Sequence, residues 1–248
     1  MTKILAHRGA SGCAPENTLE AFALAAELGA DGVELDVHLT SDGEMVVIHD
    51  ETVDRTTNGS GLVCQMTLAE LKKLNARNGM GGLKHCCRIP TLREVYELLK
   101  PTPLMINVEI KTDAMLYDGI CEKLTALEHE MGMEGRLIYS SFNHNTIMEM
   151  KRVNPGARTG LLYIEALANP WAYAESIGAN ALHPDKFAPL TYPEHMRIAA
   201  EHGIETNTWT VNTVQDMESL IRNGASAIIT NYPTLALAVR ARIENEKQ

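Results

Sequence analysis

Eight short apolar runs, each followed by a segment of helical period, recur along the 248 residues of this chain. The strand-like runs are ILAH (4–7), GVELDV (32–37), MINVEI (105–110), LIYSSF (137–142), TGLLY (159–163), NALH (180–183), ETNTWTV (205–211) and AIITN (227–231). The first helical segment is NTLEAFALAAELG, where Asn17 and Thr18 offer an N-cap and Gly29 a stop. TLREVYELLK starts after Pro90 and ends before Pro101, and the others cover about 115–131, 144–153, 168–177, 193–202, 213–223 and 233–245. This alternation predicts an α/β fold, a (β/α)8 TIM barrel forming a single domain over residues 1–248. A doubly wound sheet is the alternative, but it calls for a glycine loop after the first strand, and HRGASG lacks the G-x-G-x-x-G spacing.

Two stretches break the alternation. After GVELDV the chain turns at Asp42-Gly43 and forms a second apolar run, MVVIH, which reads as a β-hairpin. Residues 51–90 are then polar and glycine-rich, with NGSG, NGMGG and one evident helix, TLAELKKLN. They are expected to form a small inserted subdomain after the second strand. Barrel active sites sit at the C-terminal ends of strands, so the insertion should border the mouth and help to select what enters it.

Composition narrows the function. The 22 Lys+Arg against 32 Asp+Glu leave a net charge of −10, which argues against nucleic acid as a partner and against stable association with an anionic membrane. Five cysteines without a C-x-x-C pair read as free thiols rather than a zinc site. The opening MTKILAHRG enters a strand without a signal-peptide apolar stretch, so a cytoplasmic protein is expected; the oligomeric state stays open.

The residues that carry chemistry lie where strands end. Glu34 and Asp36 are two apart on a strand and share a face. If Asp42-Gly43 is a two-residue loop, Ser41 faces Glu44 and Asp36 faces His49. Glu109 ends the next barrel strand with Lys111 on the same face, and His7 and Arg8 end the first. Glu34, Asp36 and Glu109 make an all-oxygen set suited to one hard divalent cation, Mg²⁺ or Ca²⁺. With two cationic side chains to hold phosphate and two histidines to move protons, the set suits phosphate-ester chemistry.

The blocks AHRGASGCAPENTLEAF, VELDVHLTSDGEMVVIHDETVDRTTNG, IPTLREV, VEIK, WTVN and TNYP resemble the glycerophosphodiester phosphodiesterase family, from His7 to about Pro233. The resemblance implies a (β/α)8 barrel with an insertion, and metal-dependent hydrolysis of a small glycerophosphodiester to glycerol 3-phosphate and an alcohol. It implies His7 and His49 as the acid–base pair, Glu34, Asp36 and Glu109 as metal ligands, Arg8 and Lys111 on phosphate, and Glu16 lining the site. The nucleophile would be water or, preferably, the substrate's tethered 2-hydroxyl. Trp209 reads either as core or as a wall against the substrate, and is included with the binding residues. The chain departs from the family at Asn231, where T-D-Y-P is usual. Alternatives are a phosphodiesterase acting on intact lipids, which would favour an exposed apolar rim not evident in the sequence, and a catalytically silent phosphate-binding barrel. His38 is set aside as facing away from Glu34 and Asp36. His183 and Phe142 could face the mouth but read as core or as support behind the site, and His85, His129, His144, His195 and His202 as solvated. Cys13 is given no nucleophilic role.

Overall fold

The computed structural model describes residues 1–77 and 86–246, so the expectations placed on NGMGG and His85 lie outside the described residues. Nine strands form one sheet: β1 (Lys3–His7), β2 (Gly32–Leu39), β3 (Met45–Val47), β4 (Met105–Ile110), β5 (Leu137–Ser141), β6 (Thr159–Tyr163), β7 (Ala181–Pro184), β8 (Glu205–Thr208) and β9 (Ala227–Thr230). All pair in parallel except β3, and the β1–β2 pairing closes the other eight into a barrel. The helices are α1 (Leu19–Glu27), α2 (Leu68–Leu71), α3 (Leu92–Leu99), α4 (Ile120–Met131), α5 (His144–Val153), α6 (Pro170–Ile177), α7 (Phe187–Thr191), α8 (Glu194–Glu201), α9 (Val214–Arg222) and α10 (Pro233–Asn245). The expected TIM barrel is the fold, with β3 as an additional strand. Helix α2 covers only the first turn of TLAELKKLN, and α7 was not anticipated.

Strand alternation divides the barrel into an oily outside and a polar interior end. Val33, Leu35 and Val37 of β2, with Ile106, Val108 and Ile110 of β4, pack outward against Phe22, Leu92, Val95, Leu99 and Leu124 of the helices. Each such buried side chain contributes about 1.5–3 kcal/mol. The alternate positions, Glu34, Asp36, Asn107 and Glu109, face inward. Caps fix where the helices begin: Thr18 accepts from the Ala21 amide, and Thr91 and Glu94 form a reciprocal capping box at α3.

The hairpin departs from its expected register by one residue. Thr40, not Ser41, faces Glu44, and Val37, His38 and Leu39 pair with Val47, Val46 and Met45. The loop is three residues long, with Gly43 at φ +80°, a left-handed position that a two-residue reading overlooks. Ile48 therefore lies against Asp36, donating its amide to the Asp36 carbonyl at 3.1 Å. Beyond β3, a satellite cluster of Val46, Ile48, Val53, Val63, Leu71, Ala76 and Ile89 gives the described part of the segment its own small core. The Ser41 amide bonded to Met66 and the Leu68 amide bonded to Asp42 tie this segment to the hairpin, at the C-terminal end of β2.

Among the described residues no helix is long and apolar enough to cross a membrane.

At Gly160 of β6 a Cβ would sit 2.4 Å from the imidazole of fully buried His183. That ring cannot swing aside freely, because Asn207 donates to its Nε2 at 3.0 Å. Gly160→Ala is expected to destabilise the protein by about 1–3 kcal/mol, the usual cost of overpacking, measured by chemical denaturation.

Candidate active site

The register of the first four strands brings the charged residues together. His7 of β1 pairs with Glu34, Glu34 with Asn107 of β4, and Asp36 with Glu109. Carboxylate oxygens of Glu34, Asp36 and Glu109 lie within 4.8 Å of one another, and all three residues are buried. Two unit charges at that distance repel by about 3 kcal/mol at an effective dielectric of about 20. The carboxyls record the cost. Burial, with Asp36 and Glu109 beside it, pushes Glu34 well above the usual carboxylate range. Burial and Asp36 push Glu109 up to about 7. Burial would raise Asp36 as well, but Arg8, His49 and Lys111 hold it below its ordinary value.

Donors from the first loop and from β4 partly offset this charge. The Arg8 amide donates to Glu34 Oε2 at 2.9 Å, Asn17 Nδ2 donates to Asp36 Oδ2 at 2.8 Å, and Lys111 Nζ donates to Glu109 Oε1 at 2.8 Å. Arg8 Nε lies 3.5 Å from Asp36 Oδ2. Arg8 and Asn17 both adopt left-handed backbone, at φ 55° and 56°, a conformation costing of order 1–2 kcal/mol in most residues. In both cases the bent backbone is where a donor meets a buried acid.

The compensation is incomplete. Asp36 Oδ1 and Asn107 Oδ1 are buried acceptors without a donor. Unpaired buried oxygens among three crowded carboxylates, with no sulfur or imidazole in the set, fit a hard divalent cation. Among the described residues this is the one group of three acidic, histidine or cysteine side chains placed to hold a metal.

Both histidines stand beside the acids with the same nitrogen engaged. His7 Nδ1 donates to Asn231 Oδ1 at 2.6 Å, and its Nε2 lies 3.9 Å from Glu34 Oε2. Burial, then Arg8, lowers the His7 pKa to about 4. His49 Nδ1 donates to Asp50 Oδ1 at 2.6 Å. In each ring Nε2 is left to exchange a proton. His49 does not reach the site through strand pairing with Asp36, as the two-residue loop would require; the chain bends after Ile48 and carries it there.

His7, Arg8, Glu34, His49, Glu109 and Trp209 line one concavity at the C-terminal end of the strands. Asp36 and Lys111 are buried against it through their partners. A wider cavity at the opposite end, beside Lys3 and Arg222, lacks such a cluster. Trp209 forms a wall: its Nε1 donates to the His183 carbonyl at 2.7 Å, and its ring meets Phe142 edge to face at 5.5 Å. Glu16 accepts from Arg8 Nη1 at 2.8 Å. All nine sequence-predicted site residues thus stand in the cluster or directly bonded to it.

Two expectations need correction. His38 shares the inward face with Glu34 and Asp36, since residues two apart on a strand point the same way. It is fully buried, with Nε2 donating to the His49 carbonyl at 3.1 Å and Nδ1 accepting from the Tyr117 hydroxyl at 2.9 Å. Nor is the mouth end free of exposed apolar side chains: Leu116, Ile164, Phe187 and Tyr232, in the segments after β4, β6, β7 and β9, are 79%, 59%, 62% and 43% exposed. Sequence reasoning also missed Asp50 and Asn17. Asp50 directly follows His49, and that adjacency was the available signal.

The sequence pattern of the "Glycerophosphoryl diester phosphodiesterase family" matches residues 7–235. The chain belongs to that family. A relative from Caldanaerobacter subterraneus subsp. tengcongensis, named glycerophosphodiester phosphodiesterase, is 48% identical over 96% of this chain and 98% of its own. One of the same name from Bacillus altitudinis is 36% identical over 98% of this chain and 100% of its own. Among solved structures, an Oleispira antarctica phosphodiesterase in complex with the product sn-glycerol-3-phosphate superposes with a TM-score of 0.85 at 29% identity, covering 96% of each chain. A glycerophosphodiester phosphodiesterase from Agrobacterium tumefaciens gives 0.83 at 30% identity, over 96% of this chain and 100% of its own. The chain is accordingly an enzyme, a phosphoric diester hydrolase.

Relief of carboxylate repulsion is measurable without turnover. Adding Mg²⁺ or Ca²⁺ to chelator-treated protein is expected to raise its unfolding midpoint, by about 2.7 kcal/mol of stability at a hundredfold excess over Kd. Asp36→Asn should abolish the shift in a thermal melt.

Proposed function

We propose that the protein hydrolyses small glycerophosphodiesters to glycerol 3-phosphate and an alcohol, with His7 and His49 moving the protons. The observation that carries this reading is the matched pair of imidazoles, each held through Nδ1 and each leaving Nε2 free beside the three buried acids. The Oleispira antarctica relative, with sn-glycerol-3-phosphate bound, supports the choice of product. Glu34, Asp36 and Glu109 would hold one divalent cation, Mg²⁺ or Ca²⁺, which when bound supplies neutralisation of the phosphate's charge.

The chain's own residues divide the remaining work. Arg8 and Lys111 sit at the edge of the acid cluster and add positive charge where a phosphate would bind. His7, kept neutral by burial and Arg8, is in the form needed to take a proton from the nucleophile, either water or the substrate's 2-hydroxyl. His49 is less buried, and its Nδ1 is held by the Asp50 carboxylate. It is placed to deliver a proton to the leaving alcohol. Asn231 offers His7 an acceptor without the charge of the family's usual aspartate, so it fixes the ring while adding little basicity. Trp209 and Phe142 offer an apolar wall to the glycerol or the alcohol. The partners are small molecules; neither nucleic acid nor stable membrane association is called for, and the cytoplasm is the compartment proposed.

A second reading, a diester carrying a long apolar chain, draws on the exposed Leu116, Ile164, Phe187 and Tyr232 around the mouth. Faster turnover of a long-chain diester than of glycerophosphocholine would favour it.

The test of the leading reading is to remove each histidine and change the leaving group. His7→Ala and His49→Ala should each lower kcat on an alkyl diester by about two to four orders of magnitude. An aryl diester, whose phenol departs without a proton, should restore most of the rate to His49→Ala and none to His7→Ala. Equal behaviour of the two variants on both substrates would overturn the assignment.

A further inference from the structure

Arg55 lies in the segment between β3 and α3, and the reaction as described assigns it no task. Its guanidinium grips two carboxylates at once. Nε and Nη2 donate to Asp50 Oδ2 and Oδ1 at 2.7 and 2.9 Å, while Nη1 and Nη2 donate to Glu16 Oε2 and Oε1 at 2.8 and 2.7 Å. Each carboxylate has a further partner. Asp50 Oδ1 accepts from His49 Nδ1, and Glu16 Oε1 accepts from Arg8 Nη1. One planar group therefore joins a proposed proton donor to a proposed phosphate-binding arginine, across the gap between the loop after β1 and the segment after β3.

This is more than a surface ion pair. Exposed pairs usually contribute little, because two flexible side chains must be ordered for a screened attraction. A bidentate fork on each of two carboxylates fixes both planes, and only a guanidinium offers enough donors for that. His49 needs such support: it lies two residues past the end of β3, outside the regular ladder, and its ring has Asp50 as its hydrogen-bond partner. An unbraced Asp50 could rotate and release the imidazole. Without the cation, Asp50 and Glu16 would also repel each other.

We propose that Arg55 is a positioning residue for the hydrolysis, holding His49 through Asp50 and Arg8 through Glu16 in a single clamp. The inference rests on the proposed roles of His49 and Arg8. It gives the segment after β3 a part in the chemistry, beyond any choice of alcohol. Arg55 is the residue to test because its side chain is 47% exposed, so truncation opens no buried cavity.

The experiment compares kcat and KM for glycerophosphocholine in the full-length protein and in Arg55→Ala, Arg55→Lys and the Glu16→Ala/Asp50→Ala pair with and without Arg55→Ala. Arg55→Ala should lower kcat about 10- to 100-fold, the scale of loss when a catalytic group shifts by about an ångström, with KM within about threefold and the melting point nearly unchanged. Arg55→Lys should recover only part of the rate, since an ammonium cannot brace both carboxylates in plane. In the Glu16→Ala/Asp50→Ala background, removing Arg55 should cost nothing further. Wild-type kcat in Arg55→Ala overturns the proposal. So does a raised KM at constant kcat, which would mean that Arg55 holds substrate directly, and so does a full additional loss in the double background. If truncation unfolds the protein, Arg55→Lys decides alone, and full activity there overturns the clamp. Full activity in His49→Ala, measured alongside, would instead defeat the functional reading on which the clamp rests.

Discussion

Mutual repulsion among three buried carboxylates is the constraint around which this end of the molecule is arranged. Glu34, Asp36 and Glu109 are acids taken from water and placed within 4.8 Å of one another, where burial and like charge both oppose ionisation at Glu34 and Glu109. The barrel holds them there because β2 and β4 are locked in parallel register over six consecutive pairs and carry apolar outer faces under α1 and α3. The loop after β1 then bends through left-handed backbone at Arg8 and Asn17 to bring donors onto the acids. Lys111 does the same from the far end of β4. Core burial thus offsets the strain, and the strain leaves a site disposed to bind positive charge.

The two histidines stand in different relations to that constraint. His7 is part of the barrel row, buried, and lowered to a pKa of about 4 by its surroundings. His49 lies just beyond β3, where its position depends on neighbours: His38 on its carbonyl, and Asp50 on its ring. In the proposed reaction a general acid and a general base need unlike environments, which one histidine in the wall and the other on its rim would provide. The segment after β3 is tied to this end of the barrel through Arg55 on Glu16 and Leu68 on Asp42.

Much of this was legible in the sequence. Short apolar runs gave all eight barrel strands to within a few residues, because their outer faces are apolar and their boundaries are marked by glycine, proline and caps. The acids stood out for the opposite reason, as charges at strand ends where core residues are expected. The hairpin register was not legible, because Asp42-Gly43 serves a two-residue loop and a three-residue loop equally well; only the left-handed Gly43 and the Thr40–Glu44 pairing distinguish them. His38 was recoverable from spacing alone, lying two residues after Asp36, and was misassigned. The contacts among Arg55, Glu16 and Asp50 join residues up to 39 positions apart, and no local pattern encodes such a distance.

The central claim is that the three-acid cluster is a cation site on which hydrolysis depends. The most direct measurement is glycerol 3-phosphate release from glycerophosphocholine by chelator-stripped protein as Mg²⁺ or Ca²⁺ is titrated back. The account predicts negligible release without the cation, saturable recovery with it, and no recovery in Glu34→Ala, which should remain folded. Full release by the stripped protein would contradict it.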